Sequence, residues 1–220
     1  IELDIDSDGI INHRMLKSDA ERVSRLNLNR SNNSKKINDL TGIQGFTNVT
    51  FLSVSDQNIE NIDLRSNTKL DTLFLGGNLL TSIDLSNNTN LILLDLQANF
   101  INNLIGISKA VHLKKMNLSF NDFIDVSISN KSLEDLLLSH NPLKNININN
   151  SVSLKNVILT SNQLTSINLY NNSAIETLLI SDNKLSDINI ENNSNLTHLY
   201  ISNNSLTSLD VSKNQLLLDL

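Results

Sequence analysis

A nine-residue pattern, Leu-x-x-Leu-x-Leu-x-x-Asn, recurs with substitutions eight times along this chain of 220 residues. The clearest copy spans residues 70–78. The last position of the pattern returns every 21 residues, with one repeat longer and one shorter by a single residue; it is occupied by Gln57, Asn78, Asn99, Asn121, Asn141, Asn162, Asn183 and Asn204. Such a period predicts a solenoid, in which each repeat is one coil and stacked coils bury a continuous core.

The alternation inside the pattern predicts a short strand in every coil. Leu73 and Leu75 should point into the core, while Phe74 between them points outward. The recurring asparagine has a different task, because its amide can both donate to and accept from backbone groups that a tight turn leaves buried. We therefore expect the asparagine positions to be structural and not part of a binding site.

The second half of each repeat has its own pattern, seen in residues 80–88 and again in 164–172, 185–193 and 206–214. Its Ile-x-Leu alternation is rich in Asn, Ser and Thr, which have little helix propensity. We expect a second narrow ladder or an extended stretch here. Asp63 and Asp84 occupy equivalent positions of adjacent coils. They could perturb each other as an acid/base pair does, or they could simply lie on an exposed return ladder, which is the favoured interpretation.

These motifs resemble the leucine-rich repeat superfamily over about residues 49–220, and residues 40–46 and 104–111 look like the return segment of internalin-like bacterial repeats. The resemblance implies a β-rich, right-handed curved solenoid with a parallel strand ladder and short 3₁₀ or extended return segments. It divides the chain into residues 1–48, a lead-in and cap with the first repeat-like coils, and residues 49–220, a solenoid of about eight repeats truncated at its C-terminal end.

Residues 6–12, 23–28 and 39–43 are similar to the lead-in of secreted and cell-surface bacterial repeat proteins, which implies a secreted or cell-surface location. Asp4, Asp6 and Asp8, followed by a glycine, match the start of an EF-hand Ca²⁺ loop, but Met15 stands where that loop has its bidentate acid. The segment is therefore either a Ca²⁺ site or a polar turn. A capping box over residues 18–21 predicts a short helix at about residues 19–23.

Composition excludes several classes of function. The formal charge of −6 argues against nucleic acid as a partner, since phosphate binding needs clustered Lys and Arg. Cysteine is absent, so the chain has neither disulfides nor thiolate metal ligands. No apolar run is long enough to cross a membrane. We find no nucleophile with a base at hand, and so predict neither enzyme activity nor, apart from Ca²⁺, a cofactor.

The residue between the two inward leucines is the most informative outward position. It reads Ser53, Phe74, Asp95, Asn117, Leu137, Ile158, Leu179 and Tyr200. The last four would form an apolar stripe on the strand (concave) face, and an exposed apolar patch rimmed by polar groups marks a protein contact more often than a sugar contact. The predicted partner-binding residues are Phe74, Phe120, Leu137, His140, Ile158, Leu179, His198 and Tyr200.

Protein binding is therefore the favoured function, with three alternatives left open. Phe74, Phe120 and Tyr200 could stack on the rings of a polysaccharide in an adhesion module. The apolar stripe could mediate self-association. The repeats could also be a structural spacer of a larger surface protein, in which case the outward residues stabilise strands and bind nothing.

Overall fold

The computed structural model of the chain describes residues 17–29 and 35–220, so the candidate Ca²⁺ ligands Asp4, Asp6 and Asp8 lie outside the described residues. Strands of three residues dominate the described part. In chain order they are β1 Arg25–Asn27, β2 Phe51–Ser53, β3 Thr72–Phe74, β4 Ser82–Asp84, β5 Leu93–Asp95, β6 Asn103–Ile105, β7 Lys115–Asn117, β8 Asp125–Ser127, β9 Asp135–Leu137, β10 Asn145–Asn147, β11 Asn156–Ile158, β12 Thr177–Leu179 and β13 His198–Tyr200. Helix α1 spans Lys17–Ala20, and 3₁₀ turns span Ile43–Gly45 and Ile107–Lys109.

One strand from each coil joins a parallel ladder of nine strands, in the order β1-β2-β3-β5-β7-β9-β11-β12-β13. On the return side, β4 pairs with β6 and β8 pairs with β10, also in parallel. The predicted β-rich solenoid is thus confirmed, as is the narrow second ladder in part of the return side. The 3₁₀ turns fall inside residues 40–46 and 104–111, where the sequence places them. The division of the chain at residue 48 stays a prediction.

Gly106 shows why one of these turns needs glycine. It precedes the second 3₁₀ turn with φ of 78°, in the left-handed region. A Cβ atom at this position would clash with the backbone of Ser86 in the preceding coil. Only a residue without a side chain can therefore let the two coils approach this closely.

The core is a stack of aliphatic side chains from every coil. Leu73 and Leu75 are fully buried, and so are their equivalents in the following coils as far as Leu199, whereas Ile201 is partly buried. Each such side chain contributes about 1.5–3 kcal/mol through its burial. A single coil cannot bury these groups by itself, so stability is shared along the solenoid.

The asparagine positions of the repeat bind neighbouring coils together, as predicted. Asn99 is typical: its Nδ2 atom donates to the carbonyl oxygens of Leu75 and Leu96 at 3.0 Å each, and its Oδ1 atom accepts from the Leu80 backbone N–H at 3.1 Å. These bonds satisfy backbone groups of two coils at once. The side chains at this position, from Asn78 to Asn183, are buried and unavailable to a ligand.

A second set of buried asparagines lies on the return side, and the sequence interpretation assigned it no role. Asn88 is typical, with its Nδ2 atom donating to the carbonyl oxygens of Leu64 and Asn67 in the preceding coil at 3.1 and 3.0 Å. The set comprises Asn67, Asn88, Asn130, Asn172, Asn193 and Asn214. Coil stacking therefore uses this return-side set as well as the recurring asparagines of the strand side.

The predicted bounds of the short N-terminal helix are wrong. Helix α1 ends at Ala20, and Glu21 and Arg22 form a turn. Ser18 lies inside the helix and not at its N-cap. Ala20 is the buried residue of this helix, and its Cβ atom lies 3.9 Å from the Cβ position that a side chain would have at Gly45. Ala20 thus packs beside the first 3₁₀ turn.

Candidate functional site

The strand face presents the outward residues of the nine-stranded ladder. The residues between the inward leucines stand in one continuous register, which we call the central column: Ser53, Phe74, Asp95, Asn117, Leu137, Ile158, Leu179 and Tyr200. The predicted column is therefore in register along the ladder, although Ser53 is buried, and a role of the column in binding stays a prediction. Neighbouring members lie about 4.8 Å apart, the spacing of hydrogen-bonded strands.

The aliphatic part of the central column is less exposed than the sequence suggests. Leu137, Ile158 and Leu179 are half-buried, because each side chain covers the next along the closely spaced ladder. Tyr200 at the end of the column is 40% exposed. Its hydroxyl group donates a hydrogen bond to the carboxylate of Asp219, which raises the pKa of Tyr200. The expected open stripe is thus a tightly packed aliphatic surface with an anchored tyrosine at one end.

A column of left-handed residues lies where the strands end, directly before each recurring asparagine. We call it the left-handed column: Asp56, Gly77, Ala98, Phe120, His140, Ser161, Asp182 and Asn203 have φ between 53° and 69°. Left-handed φ is costly for a bulky side chain, and Gly, Asn and Asp adopt it more readily. The sequence interpretation missed this column, although Asp, Asn and Gly at four of its eight positions are the residues that favour it.

Two predicted binding residues, Phe120 and His140, are neighbours in the left-handed column. Their rings stack, with centroids 4.3 Å apart and planes inclined by only 13°. Phe120 is 53% exposed and His140 is exposed as well. A phenylalanine that is both exposed and held at φ of 57° stabilises neither the core nor the backbone. The pair is a flat aromatic surface at the edge of the strand face.

Charged residues of the strand face fall into two different arrangements. Around β7, β9 and β11 they pair across adjacent coils: Glu134 contacts Lys114 at 2.6 Å and Lys155 at 3.3 Å, and Asp135 contacts Lys115 at 2.8 Å. Hydrogen bonds from Lys114 and Lys155 lower the pKa of Glu134. For Asp135, burial raises the pKa, but hydrogen bonds from Asn156 and Lys115 outweigh it and the pKa is lowered. The sequence interpretation named none of these pairs.

Around β2, β3 and β5 the strand face has a different character. Residues 50–58, 71–79 and 92–100 contain Asp56, Asp71 and Asp95 but no Lys or Arg. We call the outward side chains of these three coils the acidic half, and those of the coils of β9, β11 and β12 the aliphatic half. Phe74 belongs to the acidic half, where its ring lies 5.8 Å from that of Phe51 at an angle of 55°.

Asp63 and Asp84 lie on the return side and do not act on each other. The Oδ1 atom of Asp63 accepts from the backbone N–H of Arg65 at 3.0 Å, and hydrogen bonds from Arg65 lower the pKa of Asp63 to about 2. The pKa of Asp84 is lowered by hydrogen bonds from Ser86. Each carboxylate closes its own turn, so the acid/base interpretation is wrong and the structural one is confirmed.

The remaining predicted site residue, His198, lies on the strand face but apart from the aromatic pair. It begins β13, three strands along the ladder from β9, and its Nδ1 atom lies 2.9 Å from the Oγ1 atom of Thr197. Among residues 17–29 and 35–220, no group of three or more His, Asp or Glu side chains is arranged to hold a metal ion. Within the same ranges, the structure has no helix of the length and apolarity needed to cross a membrane.

Comparisons with known proteins give matches in structure alone. No protein-family model matches the chain, and no curated protein matches it in sequence. The functional domain of InlJ from Listeria monocytogenes, which includes a cysteine ladder, is 26% identical with a TM-score of 0.85 over 91% of this chain and 44% of that one. This chain therefore spans less than half of that domain, and without cysteine it has no equivalent of the cysteine ladder.

Two other solved structures share the architecture. Internalin C2 of Listeria monocytogenes strain 4b F2365 is 20% identical with a TM-score of 0.68, over 93% of this chain and 83% of that one. The plant peptide hormone receptor RGFR1, in complex with RGF2, is 21% identical with a TM-score of 0.59, over 74% of this chain and 34% of that one. At these identities the likeness shows the fold.

Proposed function

We propose that this internalin-like leucine-rich repeat solenoid is a non-enzymatic, extracellular recognition module that binds a protein partner through its strand face. Protein binding in general is supported by the leucine-rich repeat neighbours, among which RGFR1 was solved with RGF2. The secreted or cell-surface location is part of the proposal and follows from the resemblance to internalins.

The observation that carries the proposal is the exposed stack of Phe120 on His140. Both side chains stand at left-handed positions, where Asn or Gly would be less strained. Backbone strain of this kind concentrates at functional sites, and exposed aromatic rings are the side chains most enriched where proteins bind one another. The half-buried aliphatic half begins in the coil of β9, which also carries His140, and offers the partner a firm apolar surface.

A polysaccharide fits the same face less well. Phe74 and Tyr200 lie in the central column but at opposite ends of it, and Phe120 lies in the left-handed column. These three rings therefore do not line one groove, as stacking on successive sugar units would require. The hydroxyl group of Tyr200 is also already bonded to Asp219.

The test compares wild type with the double variant Phe120→Asn/His140→Asn. Asparagine tolerates left-handed φ, so the variant removes both rings without disturbing the turn. The control is Tyr170→Ala, which removes a ring that is 68% exposed on the return side. Each protein is applied to an array of purified extracellular proteins and to an array of polysaccharides, with and without Ca²⁺.

We expect saturable binding to a protein on the array, at least about tenfold weaker for the double variant and unchanged for the control. If wild type, the double variant and the control all bind an array protein equally, the binding site lies elsewhere and the proposed binding through the strand face is refuted. Polysaccharide binding that is lost on Tyr200→Ala or Phe74→Ala would establish the adhesion alternative. Binding to neither array would favour the alternative that the repeats are a structural spacer.

A further inference from the structure

The three carboxylates of the acidic half have no cationic partner in the part of the chain that the structure describes. Asp56, Asp71 and Asp95 take part in none of its ion pairs, whereas the acids Glu134 and Asp135 are both paired with lysines. Three unopposed negative charges on three adjacent coils make this half complementary to a positively charged surface.

Asp95 is the most constrained of the three. It stands in the central column between Phe74 and Asn117, and its Oδ1 atom accepts from the backbone N–H of Gln97 at 3.0 Å. Burial raises the pKa of this carboxyl group, against the lowering effects of that hydrogen bond and of one from the Asn117 side chain. Its negative charge is therefore partly desolvated and, within the described residues, lacks the basic neighbour that would offset the cost.

The residues around Asp95 suit a planar cation. The ring of Phe74 stands beside it in the column, and the Gln97 side chain lies across Gly76, with its Oε1 atom accepting from Asn117 Nδ2 at 3.1 Å. One coil before Phe74, the guanidinium group of Arg25 already covers the ring of Phe51, with its Cζ atom 3.4 Å from the ring centroid. The same face thus holds one guanidinium on an aromatic ring from within the chain.

We propose that the acidic half binds a basic segment of the protein partner, with an arginine side chain placed between the ring of Phe74 and the carboxylate of Asp95. Arginine is favoured over lysine because its planar guanidinium can stack on Phe74 while its N–H groups donate to Asp95 and to the Gln97 side-chain oxygen. The inference rests on the proposed function, since it assigns the charge of the partner that contacts Phe120 and His140.

The probe is the amide of hexa-arginine, titrated into the whole chain at low and at physiological salt. Backbone amide NMR shifts locate the contact and fluorescence anisotropy gives the affinity. Asp95→Asn removes the charge, Phe74→Leu removes the ring, and Asp182→Asn is the control. Asp182 carries an equal charge at a left-handed position of the same face but stands in the coil of β12.

We expect shift changes centred on residues 72–78 and 93–97, and an affinity that falls with salt. Asp95→Asn should weaken binding about fivefold and Phe74→Leu about threefold, while Asp182→Asn leaves it unchanged. Equal losses for Asp95→Asn and Asp182→Asn would overturn the inference, because attraction would then be unspecific. Shift changes centred elsewhere, or no binding at low salt, would overturn it too.

The two proposals can fail separately. Binding to an array protein could be lost in Phe120→Asn/His140→Asn and unchanged in Asp95→Asn. This result would support the proposed function and refute this inference. Hexa-arginine bound at Asp95, with no array protein bound at all, would refute the proposed function and leave the basic-segment site standing.

Discussion

In the acidic half of the strand face, the carboxylates of three adjacent coils take part in no ion pair among the described residues, whereas in the coil of β9 Glu134 and Asp135 are paired with lysines and the centre of the aliphatic half is apolar. Both halves rest on the same inward leucines and the same buried asparagines. The scaffold therefore does not require the difference. The comparison shows that the outward residues can differ while the buried residues of the coils stay alike. Residues that recognise a partner should therefore be sought among the outward positions at which the two halves differ.

The largest loss of stability is expected for the buried asparagines, which both halves share. Asn99→Ala in the acidic half and Asn162→Ala in the aliphatic half each remove an amide that donates to at least two carbonyls and accepts from at least one backbone N–H. Each should lower the free energy of unfolding by about 2–4 kcal/mol, because buried backbone groups lose their partners. Urea denaturation measures this loss.

The control for this pair is Asn87→Ala, since the Asn87 amide is exposed and donates only to the Arg65 carbonyl. Its cost should stay within about 0.5 kcal/mol. Clearly different losses for Asn99→Ala and Asn162→Ala would contradict the view that the two halves share one scaffold.

A smaller loss of stability is expected from the aliphatic column, which only the aliphatic half has. Ile158→Ala removes the centre of the packed Leu137–Ile158–Leu179 column and should cost about 1–2 kcal/mol, less than a fully buried isoleucine because the side chain is half-buried. The matched control is Val152→Ala, whose side chain is exposed. Equal losses in urea denaturation for the two variants would mean that the aliphatic column adds nothing to the ladder.

In the acidic half, the corresponding change should stabilise the protein. Burial raises the pKa of Asp95 above its ordinary value of 3.8, so its ionised form costs stability at every pH above the folded-state pKa, and the cost vanishes below about 3.8. Asp95→Asn keeps an acceptor for Gln97 and should raise Tm at pH 7 by up to about 3 °C, with no gain at pH 3. A lower Tm at pH 7 would show that Asp95 has a stabilising partner.

The smallest effect is expected for the paired charges. The pKa of Glu134 lies below its ordinary value of 4.5, mainly because of hydrogen bonds from Lys114 and Lys155. Its contribution is therefore present above about pH 4.5 and is lost as the pH falls through the lower, folded-state pKa. Because the group is exposed and screened, Glu134→Gln should shift Tm by less than about 1 °C at 0.15 M salt. A larger drop, confined to neutral pH, would give these pairs a structural role.

The period of the sequence was enough to predict the inward leucines, the central column and the role of the recurring asparagines, because stacked coils force equivalent residues into register. Exposure was harder to predict. Whether Ile158 is open or half-covered depends on its neighbours 21 residues away in both directions, and these are all aliphatic. The stacking of Phe120 on His140 depended on a left-handed backbone conformation that phenylalanine disfavours, so the residue preference of Phe120 gave no sign of it.

Because the ladder is in register, equivalent outward side chains of the strand face recur at one fixed spacing along the solenoid axis. Coils recur about every 4.8 Å, while side chains on one side of an extended strand recur about every 6.6 Å. An extended segment laid along the solenoid axis therefore loses phase by nearly 2 Å per coil, whereas a helix, with about 5.4 Å per turn, drifts by only about 0.6 Å. Over the three coils of either half, a helix keeps step with the columns and a strand does not. The spacing of the ladder therefore favours a helical partner segment over an extended one, whichever side chains the two surfaces carry.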